Sequence, residues 1–148
     1  MNKLKLSILV LATSLFYHGV ALSAEHTVKM LNNGADGMMV FEPAFLKAEK
    51  GDTVTFESTD AGHDSVSLFI PEGATAWTGE NSKDITVTLD AEGVYIYKCT
   101  PHVMMAMVGV IQVGEASNKT GAEAAAEELS SKIMMNKDRL GGYIAKIM

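Results

Sequence analysis

Residues 94–113 have the sequence VYIYKCTPHVMMAMVGVIQV. The pattern predicts a strand that delivers Cys99, the only cysteine of the chain, to its end, then a tight loop containing Pro101, then a second strand. The loop carries His102 and Met107, so a thiol, an imidazole and a thioether fall within nine residues. A sulfur-rich cluster with one imidazole suits copper, whereas calcium and magnesium prefer oxygen ligands.

A copper site of this kind needs a second imidazole, and His63 is the best candidate to supply it. His63 follows Gly62 in a predicted loop, and loops often carry functional side chains. His18 lies in a predicted targeting segment, and His26 opens the first predicted strand without an evident partner. The interval between His63 and Cys99 gives the chain room to cross between two sheets and return.

The predicted metal ligands combine two imidazoles, one thiolate and one thioether: His63, Cys99, His102 and Met107. Two imidazoles and a thiolate with a weak axial thioether are the ligands of electron-transfer copper. All four positions are filled, so no open position remains for a substrate, which disfavours an enzyme. Further methionines invite a Cu(I)-transport interpretation, but packing or an apolar partner-facing surface is the simpler explanation. They are Met38, Met39, Met104 and Met105.

Residues 1–23 have the pattern of a cleaved secretory signal. Lys3 and Lys5 precede a mostly apolar run at residues 6–16, and small residues at 21–23 form a cleavage site, after Ser23 or Ala24. The apolar run is too short to span a bilayer. An exported chain with one cysteine cannot form an internal disulfide, so Cys99 is either buried and inert or held as a thiolate by a metal.

The remaining sequence predicts an all-β domain followed by helices. Short alternating runs separated by turn residues occupy residues 24–114 and indicate about eight strands in two packed sheets with Greek-key connections. Residues 115–148 form a helical extension, with a helix at 122–135 and a capping box at Thr120 and Glu123. Asn136 is a candidate cap of a second helix. The simplest expectation is that these helices pack on the sandwich and perform no chemistry.

The charge balance argues against a nucleic-acid partner. The full chain has a formal net charge of −6, and removal of residues 1–23, which hold two lysines and no acidic residue, leaves −8. Nucleic-acid binding depends on basic surface. The acidic balance favours solubility and says little about protein partners.

The sequence resembles the pseudoazurins, type 1 blue copper proteins of the cupredoxin fold, over essentially the whole chain after residue 23. The motifs that carry the resemblance are MMVFEP at 38–43, KGDTV at 50–54, GH at 62–63, IPEG at 70–73 and KCTPH at 98–102 with Met107. The resemblance implies an eight-stranded Greek-key β-sandwich or barrel with two C-terminal helices. It also implies that His63, Cys99, His102 and Met107 bind one copper ion.

The same resemblance implies a monomeric periplasmic carrier of single electrons. The expected partners are redox proteins, namely copper nitrite reductase, nitrous oxide reductase or cytochromes, which dock transiently at an apolar patch around His102. That patch would contain Met39, Pro101, Val103, Met104, Met105 and Ala106. The sequence departs from the family pattern at Asp64, where the usual residue is an asparagine that ties the two copper loops together.

Two other functions remain open from the sequence. One is a periplasmic copper carrier or buffer that hands over Cu(I), which requires an exchangeable site. The other is a structural β-sandwich module with a buried cysteine, which leaves the spacing of His102 and Met107 unexplained.

Overall fold

The computed structural model describes residues 23–148, so most of the predicted signal segment, residues 1–22, lies outside the described residues. The described part contains eight strands and two α-helices, which confirms the predicted all-β class with a helical extension. Within this part, no helix is long and apolar enough to cross a membrane. The elements are β1 (Glu25–Gly34), β2 (Gly37–Glu42), β3 (Phe45–Ala48), β4 (Thr53–Glu57), β5 (Val66–Phe69), β6 (Ile85–Thr88), β7 (Gly93–Lys98), β8 (Val108–Val113), α1 (Lys119–Ser130) and α2 (Asp138–Ile144).

The strands form two four-stranded sheets that pack as a sandwich. One sheet has the order β2-β1-β4-β6 and the other has the order β3-β8-β7-β5. The β1–β4 and β3–β8 pairs are parallel, and the other pairs are antiparallel. In β4, buried Val54 and Phe56 alternate with half-buried residues, as the sequence predicts. All of β8 is buried, because the second sheet also carries helices: α1 contacts β7 and α2 contacts β8.

An aromatic cluster fills the core beneath the end of the sandwich where β7 leads to Cys99. The Tyr97 ring lies edge-on to both Phe41 and Phe56, with ring centroids 4.8 Å apart in each pair. Tyr97 fits because β8 has a glycine opposite it: a Cβ on Gly109 would lie 2.2 Å from Tyr97 Cζ. The core therefore fixes β7 closely against β8 just before the two strands diverge into the loop.

The helical extension forms, but its predicted ends and caps are wrong. The N-cap of α1 is Asn118, and its side chain bonds the backbone N–H and C=O of Val94 in β7 at 2.7 and 3.0 Å instead of capping the helix. The predicted capping box at Thr120 therefore does not start the helix, and α1 ends at Ser130 instead of residue 135. Asn136 does not cap α2; the N-cap is Lys137, and Asn136 Nδ2 donates to Met105 O.

His26, which had no evident partner in the sequence, pairs with Asp52. His26 Nε2 and Asp52 Oδ2 are 2.8 Å apart, and the backbone N–H groups of Ala24 and Glu49 also donate to the Asp52 carboxylate. These hydrogen bonds, led by that of His26, lower the pKa of Asp52 to about 2 although burial opposes the shift. The carboxylate is nearly buried, so its interactions contribute to the stability of the fold.

We expect Asp52→Asn to lower the free energy of unfolding at neutral pH by about 2 kcal/mol. This is the free-energy equivalent of the difference between the pKa of Asp52 in the folded protein and that of an aspartate in the unfolded chain. Because the folded pKa lies below the unfolded one, the stabilisation is present above about pH 4 and is lost as the pH falls towards 2. Urea denaturation at several pH values checks this, with exposed Glu123→Gln as the control. Equal pH dependence of stability in the Asp52 variant and the unaltered protein would contradict it.

Candidate metal centre

The loop between β7 and β8 brings Cys99, His102 and Met107 to one end of the sandwich. Cys99 directly follows β7, and a short 3-10 helix, Val103–Met105, turns the chain back towards β8. The N–H of Cys99 donates to Met107 O at 2.9 Å, and the N–H of Met107 donates to His102 O at 3.2 Å. These backbone bonds close the base of the loop, so the three predicted ligand residues keep fixed relative positions.

The structure brings the side chains of His63, Cys99 and His102 together around one point. The two Nδ1 atoms are 3.1 Å apart, and Cys99 Sγ lies 3.8 Å from His63 Nδ1 and 3.4 Å from His102 Nδ1. A point in the plane of this triangle lies about 2.0 Å from all three atoms, close to the ~2.0–2.3 Å bonds of a first-row metal to imidazole and thiolate. The three residues therefore fit a single metal ion. Met107, the fourth predicted ligand, is fully buried at the end of the same loop.

His63 enters the site from the loop between β4 and β5. Gly62, with φ +94°, supplies a turn that favours glycine, and the N–H of Ser82 donates to His63 O at 2.8 Å. His63 Nε2 lies 3.1 Å from Asn32 Oδ1. Because that oxygen only accepts, Nε2 carries the proton and Nδ1 keeps its lone pair towards the site. Sequence reasoning missed Asn32, because nothing in the sequence around it indicates this contact.

Asp64 ties the His63 loop to the Cys99 loop. Its Oδ1 accepts a hydrogen bond from the N–H of Thr100 at 2.6 Å. The family asparagine is expected to make the same kind of link, and the carboxylate preserves it because the bond needs only an acceptor oxygen. Asp64 is only 9% exposed, so its carboxylate is nearly buried. It lies between the two loops that carry His63 and Cys99.

Burial disfavours the charged forms of Cys99 and His63. Desolvation raises the pKa of Cys99 to about 11, and hydrogen bonds from the backbone at Asp64 and His102 offset this only in part. Burial is also the largest cause that lowers the pKa of His63, followed by the neighbouring His102. A metal ion therefore has to replace the proton of the Cys99 thiol, and binding releases that proton. Two soft sulfur donors and two imidazoles match copper better than zinc, which rarely takes a thioether.

Only the His102 ring among these three side chains reaches the surface. His63 and Cys99 are buried, whereas His102 is half-buried. Around it the structure differs from the expected patch at Ala106, which is fully buried. Methionines of the helical extension enlarge the surface, since the N–H groups of Met134 and Met135 both donate to Met104 O. All three of these methionines are more than half exposed.

Comparison with known proteins identifies the sequence family. Residues 28–114 match the family described as copper binding proteins, plastocyanin/azurin family. A putative pseudoazurin of Rhizobium leguminosarum bv. viciae is 46% identical over 116 residues, which cover 76% of this chain and 76% of that protein. The pseudoazurin of Paracoccus pantotrophus is 42% identical over 107 residues, covering 71% of this chain and 74% of that protein.

Solved structures agree with the sequence comparison. The native pseudoazurin of Hyphomicrobium denitrificans is 38% identical, with a TM-score of 0.71 over 84% of this chain and 99% of that one. The pseudoazurin of Methylobacterium extorquens AM1 is 39% identical, with a TM-score of 0.70 and the same coverage.

We expect Asp64→Asn to raise the reduction potential of the copper-loaded protein. A carboxylate near the metal favours the more positive oxidised ion, so its removal favours the reduced one by an amount on the order of 50 mV. The Asn side-chain oxygen still accepts from Thr100 N, so the visible spectrum should change little. Voltammetry measures the potential, and Asp84→Asn, which removes a carboxylate that bonds Ser58 N, is the control. An unchanged or lower potential would contradict the expectation.

Proposed function

This chain belongs to the pseudoazurins, electron-transfer copper proteins of the plastocyanin/azurin family, and we propose that it carries single electrons in the periplasm to a denitrification enzyme such as copper nitrite reductase. The observation that carries the proposal is the convergence of two imidazole Nδ1 atoms and one thiol sulfur on a single buried point. Pseudoazurins are electron carriers, not enzymes.

We propose that four side chains hold one copper ion: His63, Cys99, His102 and Met107. Bound copper supplies a one-electron Cu(I)/Cu(II) couple. Cys99 would provide the thiolate, and His63 and His102 would provide the two imidazoles. The backbone bonds of Met107 to Cys99 and His102 support Met107 as the residue that would supply the thioether, because they hold it next to both.

The partly exposed ring of His102 supports a route for the electron through this side chain. The surrounding loop, residues 101–107, contains no Asp, Glu, Lys or Arg, so a partner can approach it without removing water from a charged group. We propose transient docking here by redox partners, namely nitrite reductase, nitrous oxide reductase or cytochromes. Such encounters typically use small interfaces, below about 1,200 Å² in total. A monomer is the proposed state, because the apolar loop is then free for these partners.

We propose that residues 1–23 are a cleaved export signal, residues 24–114 the copper-binding domain and residues 115–148 a helical extension packed on it. The backbone nitrogen of Ala24 lies 2.8 Å from Asp52 Oδ1, a contact that supports cleavage after Ser23. That cut would place a new α-ammonium group beside the Asp52 carboxylate. The intact mass of the exported protein tests the boundary, and a mass starting at Glu25 would contradict it.

Burial of the site argues against the alternative of a copper carrier or buffer. His63, Cys99 and Met107 are all fully buried, so a copper acceptor could reach the metal only past His102. A carrier of electrons keeps its copper in the presence of a moderate chelator, whereas a copper donor releases it within minutes. Incubation of the loaded protein with a chelator therefore separates the two functions.

We expect Cys99→Ser to abolish the intense visible band that the unaltered protein gains on titration with Cu(II). The hard hydroxyl cannot replace the thiolate, and the band arises from charge transfer between sulfur and copper. Visible and EPR spectra measure the loss, while circular dichroism verifies that the variant is folded. A folded variant that keeps the band would disprove the role of Cys99.

We expect Met104→Lys to slow electron transfer to a copper nitrite reductase about tenfold. The substitution puts a charge in place of an apolar side chain whose burial at the proposed interface would contribute roughly 1.5 kcal/mol to the free energy of docking. Met148→Lys is the matched control. Met148 is 81% exposed, and its backbone bonds Gln112 at the far end of β8, away from the copper loop. Stopped-flow kinetics at fixed ionic strength measure both rates. Equal rates for the two variants would exclude docking at Met104.

A further inference from the structure

The segment between α1 and α2 binds the carbonyl groups of the loop that carries His102 and Met107. The N–H groups of Met134 and Met135 donate to Met104 O at 2.9 and 3.1 Å, and Asn136 Nδ2 donates to Met105 O at 3.3 Å. The last carbonyls of a short helix have no partners within it, and Met104 and Met105 end the 3-10 helix. The helical extension supplies those partners here, so its contact with the loop is specific hydrogen bonding as well as packing.

The side chain of Arg139, in the first turn of α2, joins this loop to the β1–β2 hairpin. Its Nη1 lies 3.4 Å from Met105 O and 3.2 Å from Ala106 O. On the other side, the same Nη1 lies 3.2 Å from Met38 O and 3.0 Å from Met39 O, and Nη2 donates to Asp36 O at 2.9 Å. One guanidinium therefore bridges two loops that are about 70 residues apart in the sequence.

Two of the carbonyls bound by Arg139 belong to residues with left-handed backbone. Met39 has φ +50° and Ala106 has φ +62°, and neither is a glycine. Such a conformation is unfavourable for a non-glycine residue, and charge-assisted hydrogen bonds can offset that cost. The guanidinium thus contacts both loops at the residues that need support to keep their conformation.

Arg139 has no competing ionic role among the described residues. Three ion pairs occur between residues 23 and 148, and none includes Arg139. The packing of α2 depends on other side chains, because Leu140 and Tyr143 are the ones it buries. The donors of Arg139 are therefore directed at backbone carbonyls beside the metal centre.

We propose that Arg139 is a positioning residue of the copper centre, which fixes the His102–Met107 loop against the β1–β2 hairpin so that the ligands stay in place when the electron moves. This inference rests on the proposed function. Ala106 directly precedes Met107, whose backbone bonds both Cys99 N and His102 O, so a shift at Ala106 reaches three of the four proposed ligands. A lysine cannot substitute, because an ammonium group lacks the planar fork that reaches carbonyls on two sides.

The test compares copper-loaded Arg139→Gln, Arg139→Lys and Lys137→Gln with the unaltered full chain. Lys137→Gln is the matched control, since it removes one positive charge from an exposed side chain two residues away. EPR and visible spectra report the ligand geometry, and the electron self-exchange rate measured by NMR line broadening reports how far the ligands move. We expect altered EPR parameters and an about tenfold slower exchange for both Arg139 variants, and no change for Lys137→Gln.

The outcomes separate the inference from the proposed function. A blue unaltered protein with Arg139 variants that lose thermal stability but keep its spectra and exchange rate would overturn the positioning role and leave the electron-carrier function intact. An unaltered protein that binds copper without the thiolate band would overturn the function itself. If Arg139→Gln fails to fold, Arg139→Lys, which keeps the charge, decides the question by the same two readouts.

Discussion

The structure depends on holding three electron-pair donors closer together than they would stay by themselves. Two imidazole nitrogens 3.1 Å apart face a sulfur less than 4 Å away, in a place where water cannot separate them. Only a shared proton or a cation relieves the repulsion between such lone pairs. The fold therefore has to supply the free energy that keeps these donor atoms close together. Burial raises this free-energy cost, because little solvent is left to screen the repulsion between their lone pairs.

Several weak but independent restraints supply that free energy. The Phe41–Phe56–Tyr97 cluster fixes β7 below Cys99, while Asn32 sets the tautomer and ring orientation of His63. The bond from Thr100 N to Asp64 joins the two loops that carry these side chains. Each restraint comes from a different part of the sandwich, so no single one has to hold the site.

The sequence predicts the parts of this protein that depend on local pattern. Cys99, His102 and Met107 are recognisable because their chemistry and spacing lie within one loop, and β4 is recognisable from its alternation. The contacts that Asn32 and Arg139 make cannot be recognised from the sequence, because these two residues meet their partners only after the chain has folded. The capping box failed for a related reason: Asn118 starts α1 while its side chain bonds β7, a tertiary contact that no local rule contains.

The closeness of Cys99, His102 and Met107 in the sequence has a thermodynamic consequence for the unfolded chain. Nine residues that hold a thiol, an imidazole and a thioether remain together when every strand is lost, so the unfolded protein still offers copper a chelating peptide. A ligand stabilises a fold only by its preference for the folded over the unfolded form. Copper therefore stabilises this protein by less than its full binding free energy, and the stabilisation that remains comes from what folding adds to that peptide: the imidazole of His63 and a fixed geometry.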